Sequence, residues 1–68
     1  MEKIFTTAEG VELYFDKDTY TYKTDDINAV KAALKKDIDN YQIDPGSAIM
    51  AHNLLVIIED IERMADYR

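Results

Sequence analysis

Residues 11–23 read VELYFDKDTYTYK, and the alternation within this stretch decides the fold. Val11, Leu13 and Phe15 fall on one side of an extended chain, with Glu12, Tyr14 and Asp16 on the other. That period of two marks a strand with one buried face. Thr19 to Lys23 is a second run rich in β-branched and aromatic residues. A two-residue loop at Lys17-Asp18 would set Asp16 opposite Thr19, Phe15 opposite Tyr20, Leu13 opposite Tyr22 and Glu12 opposite Lys23. The hairpin then gathers Val11, Leu13, Phe15, Tyr20 and Tyr22 on one face and leaves an opposite-charge pair on the other.

Working toward the N-terminus, residues 3–7 form a further strand, joined to the hairpin through Ala8-Glu9-Gly10. A three-residue loop with Gly10 left-handed places Phe5 opposite Leu13 and Ile4 opposite Tyr14. A two-residue loop at Glu9-Gly10 would exchange Ile4 and Phe5. The first is favoured, because the glycine then stands where a bulge needs it. In either register one large apolar residue joins Tyr14 on the outer face.

Working toward the C-terminus, Thr24-Asp25-Asp26 supplies a helix start, with Thr24 as the cap and the acids in the first turn. Ile27, Val30, Leu34, Ile38 and Tyr41 recur every three or four residues, one narrow apolar stripe on an amphipathic helix. Asp44-Pro45-Gly46-Ser47 restarts the chain. Asp44 suits the cap and Pro45 the first helical position, so a second helix is expected from Pro45 to Tyr67. The expected architecture is α+β: a three-stranded antiparallel β-meander followed by two antiparallel helices packed on one sheet face, β-β-β-α-α, as a single small domain over 1–68.

The second helix carries more apolar surface than one stripe. Met50, Leu54, Ile57, Ile58, Ile61, Met64 and Ala65 form the expected core side. Ile49 and Val56 lie nearly opposite its centre, with Tyr67 further along the same line and Leu55 on a flank. Singly scattered exposed residues, or a helix wedged between sheet and first helix, would also account for them. The short chain argues for a third reading. With 68 residues and no cysteine it has neither a large core nor a disulfide framework. Ile49, His52, Asn53, Val56 and Tyr67 are therefore read as a seam for another protein, a second copy of the chain included. Ile4 and Tyr14 on the outer sheet face form a second candidate surface.

Composition narrows the functional classes. The net charge is −6, and 47% of residues are hydrophobic. A phosphate-binding surface needs the opposite sign, so direct binding of nucleic acid or of an anionic membrane is not expected. The apolar run Leu54–Ile58 is too short to span a bilayer, and the polar turn at Thr6 gives no secretory leader. A cytoplasmic protein is expected.

No catalytic, metal or cofactor motif emerges. His52 is the only histidine and has no carboxylate one helical turn away to orient it. Ser47 has no base placed beside it by the sequence. Asp16-Lys17-Asp18 and Asp37-Ile38-Asp39-Asn40 open like calcium loops but lack the glycine at the sixth position and the glutamate at the twelfth. Two glycines, Gly10 and Gly46, make no phosphate cradle. The expected function is a non-catalytic, acidic protein-interaction module, a regulator or inhibitor without metal or cofactor. The alternative is an acidic mimic of nucleic acid, of the kind phages and mobile elements encode, presenting Glu59, Asp60, Glu62 and Asp66. The remaining reading is a small enzyme with His52 at a dimer interface.

Overall fold

The computed structural model of the chain describes residues 1–66. Its elements follow in the order β1 (Glu2–Thr6), β2 (Glu12–Asp16), β3 (Thr21–Thr24), α1 (Ile27–Asp39) and α2 (Pro45–Asp66). The strands form one open antiparallel sheet in the order β1-β2-β3, so the architecture is α+β with the β-β-β-α-α sequence expected. Two compact units divide the chain, Met1–Ala33 and the residues from Leu34 onward.

In the first unit, local chemistry closes the β1–β2 hairpin. Thr7 N–H donates to Val11 O at 2.9 Å, and Gly10 N–H donates to Thr7 O at 3.0 Å. Val11 N–H is taken by the Thr7 hydroxyl at 3.0 Å. Gly10 has φ +92°, the left-handed conformation that the three-residue loop requires. Phe5 consequently opposes Leu13, as expected. One turn of the ladder later the register slips. Lys3 opposes Tyr14 and Glu2 opposes Phe15, so Ile4 is the extra residue of a bulge rather than the partner of Tyr14. A lysine thus stands across from Tyr14 where a large apolar residue was expected.

The second hairpin departs from expectation by two residues. Asp16 pairs with Thr21, Phe15 with Tyr22, Tyr14 with Lys23 and Leu13 with Thr24, leaving the four residues 17–20 as the loop. A two-residue loop would have required positive φ at Lys17, and in a type I′ turn at Asp18 as well, at roughly 1–2 kcal/mol for each side chain bearing a Cβ. The longer loop has one such residue, Tyr20, at φ 53°. Its ring meets Phe15 edge-on, with centroids 5.9 Å apart. Asp16 Oδ1 also accepts from Asp18 N–H at 2.9 Å, tightening the first half of the turn. That bond holds the Asp16 carboxyl below its ordinary value. A slip of two preserves face parity, so Leu13, Phe15 and Tyr22 still share a side. The expected Glu12–Lys23 pairing does not form.

Helix α1 is capped by Asp26, not by Thr24. Ala29 N–H donates to Asp26 Oδ1 at 3.1 Å, while Thr24 ends β3. The Thr24 hydroxyl oxygen is buried without a hydrogen-bond partner. Leu13, Val30 and Thr7 are buried in the first unit, and Leu34, Ala48, Ala51 and Ile58 in the second. Tyr41 lies past the end of α1 in the turn at 40–43 and is exposed, so the α1 stripe stops at Ile38.

Candidate functional site

The second unit holds the candidate surface, and its construction begins at Asn40. Its carbonyl accepts from Ile43 N–H at 2.9 Å and Asp44 N–H at 3.0 Å, bending the chain out of α1. Asp44 then starts α2 from two directions. Its Oδ1 accepts from Ser47 N–H at 3.2 Å and its Oδ2 from the Ser47 hydroxyl at 2.8 Å. These bonds favour the ionised form and hold the Asp44 carboxyl below its ordinary value. Pro45, with no N–H to satisfy, takes the first helical position. Ser47 is thereby a capping partner, which accounts for its hydroxyl.

From this start α2 runs 22 residues, about 33 Å at 1.5 Å per residue. Its buried line is Ala48, Ala51 and Ile58, with Leu54, Leu55 and Ile61 half-buried beside it. Compared with the stripe expected from the large residues, the helix is turned by roughly 80° at 100° per residue. Met50 and Met64, assigned to the core by size, are 48% and 47% exposed. Ala51, at 0% exposed, lies at the centre of the buried side. Small side chains permit close approach, and the alanines at 48 and 51 were the signal that the larger residues obscured.

The rotation enlarges the outward apolar face. Ile49 is 55% exposed and Val56 50%. Seven residues, Gly46, Ile49, Asn53, Val56, Ile57, Asp60 and Met64, fall within roughly 100° of arc. Asn53 is exposed, while Ile57 and Asp60 are half-buried. Ile57 and Met64 thus join the seam expected at Ile49, Asn53 and Val56, and half-exposed Met50 lies about 20° beyond its edge. His52 is exposed to one side of it and lines an open cleft of about 270 Å³ with Ile38, Tyr41, Ala48 and Ile49. Tyr67 lies outside the described residues.

The acidic row is broken. Asp60 lies on the apolar face with Arg63 Nη1 at 3.9 Å. Glu59 and Glu62 lie more than 100° round the helix from the centre of that face. The side chain of Asp66 is outside the described residues. Among the described residues no group of three or more metal-ligating side chains converges, and no helix is long and apolar enough to cross a membrane.

The outer face of the sheet presents a different chemistry. Tyr14 stands between Lys3 and Lys23 in the ladder, and its hydroxyl donates to Glu12 Oε2. That hydrogen bond and the charge of Glu12 push the Tyr14 phenol above its ordinary value. An open basin of about 700 Å³, lined by Met1, Gly10, Glu12, Tyr14, Lys23, Thr24 and Asp25, lies here. Its charges of both signs make a polar surface, unlike the apolar face of α2. Compared with known proteins, the chain matches no family, no curated protein and no solved structure.

Proposed function

We propose that this chain is a non-catalytic protein-interaction module, a small regulator or inhibitor that docks its partner on the outward face of α2. The observation that carries the reading is the run of half-exposed apolar side chains, Ile49, Val56, Met50 and Met64, on a helix whose other side is buried. Apolar residues scattered singly are common on surfaces, whereas a row along one helix face matches helix-in-groove or helix-to-helix docking. A cytoplasmic setting fits a cysteine-free domain that depends on packing and partners rather than disulfides.

The acidic-mimic reading draws less support. It needs carboxylates held together, and Asp60 is turned away from Glu59 and Glu62 toward Arg63. An enzyme built around His52 draws less support, because the sequence puts no carboxylate one helical turn away to orient it.

Site-specific photo-crosslinking in the cells that make the protein tests the proposal. A benzophenone side chain at position 56 is expected to yield protein adducts, whereas one at exposed Lys17 yields none. Absence of adducts from positions 49, 53, 56 and 64 alike would remove the docking reading. With crosslinking repeated in cell extract, an adduct that vanishes as ionic strength rises would favour the mimic, because an apolar interface persists under screening.

A further inference from the structure

We draw no further inference here: the strongest candidate, the outward apolar face of α2 around Ile49, Val56 and Met64, carries none beyond the docking already proposed, because nothing in the structure shows what covers it.

Discussion

The rotation of α2 can be tested by exchanging two neighbouring residues that the structure treats oppositely. Ala51 is fully enclosed and Met50 is 48% exposed, although the sequence pattern assigns Met50 to the core. Ala51→Leu adds three carbons where no space is open, a strain of about 1–3 kcal/mol. Met50→Ala removes a side chain of which about half is already in water. Full burial of methionine contributes roughly 1.5–3 kcal/mol, so its loss here amounts to about 1 kcal/mol. Alanine's better helix propensity returns a few tenths of that. The whole chain holds only roughly 3–10 kcal/mol, taking 0.05–0.15 kcal/mol per residue over 68 residues. Ala51→Leu is therefore a large fraction of the total and Met50→Ala a small one. Urea unfolding followed at 222 nm reads the difference. With a slope near 1 kcal/mol per molar, the midpoint for Ala51→Leu should fall by about 1–3 M, and for Met50→Ala by less than about 1 M. Measurement at two protein concentrations separates folding from association. If Met50 were the core residue, its truncation would cost about 2–5 kcal/mol and Ala51→Leu would be nearly neutral. That reversed order would refute the helix rotation, and with it the outward face.

Three further outcomes follow from the turns, the cap and the outer sheet. Gly10→Ala should destabilise the fold by about 1–2 kcal/mol in thermal or urea unfolding, and through the backbone alone, since a Cβ there meets no atom within 4 Å while φ is +92°. The lowered carboxyls of Asp44 and Asp16 release protons more readily folded than unfolded, so their stabilisation is present above the ordinary carboxylate range and fades as pH falls through the folded values. The double variant Asp16→Asn with Asp44→Asn should flatten the acid limb of a stability-against-pH curve, and an unchanged limb would contradict the assignment. Tyr14 is raised, so its phenol should ionise late in an alkaline absorbance titration. Glu12→Gln, which removes the carboxylate charge, should move that ionisation downward.

Much of the candidate site follows from residues close together in the chain. Asp44-Pro45 starts α2 because an aspartate oxygen and a missing N–H satisfy the first turn locally. Ile49 and Val56 recur at a spacing of seven, which keeps them on one side of whatever helix contains them. Their common side was legible from that spacing, and the structure shows it exposed. Membership of Ile57 and Met64 in the same surface was not legible, because it depends on which way the helix is turned.

The same division holds for the whole molecule. Amino-acid order alone determined the five elements, the left-handed Gly10 loop and the face shared by Leu13, Phe15 and Tyr22. Each is governed by steric and hydrogen-bond preferences spanning a few residues, and a period of two survives even a register slip of two. Tertiary structure decided the bulge at Ile4, the four-residue loop closed by left-handed Tyr20 and the angle of α2. In those cases several local choices differ by only one or two kcal/mol, about the scale of one packed ring or one buried side chain. Alanine at 51 rather than methionine at 50 lies innermost because closeness of approach, a property of the assembled core, outweighs the hydrophobic size of either residue taken singly.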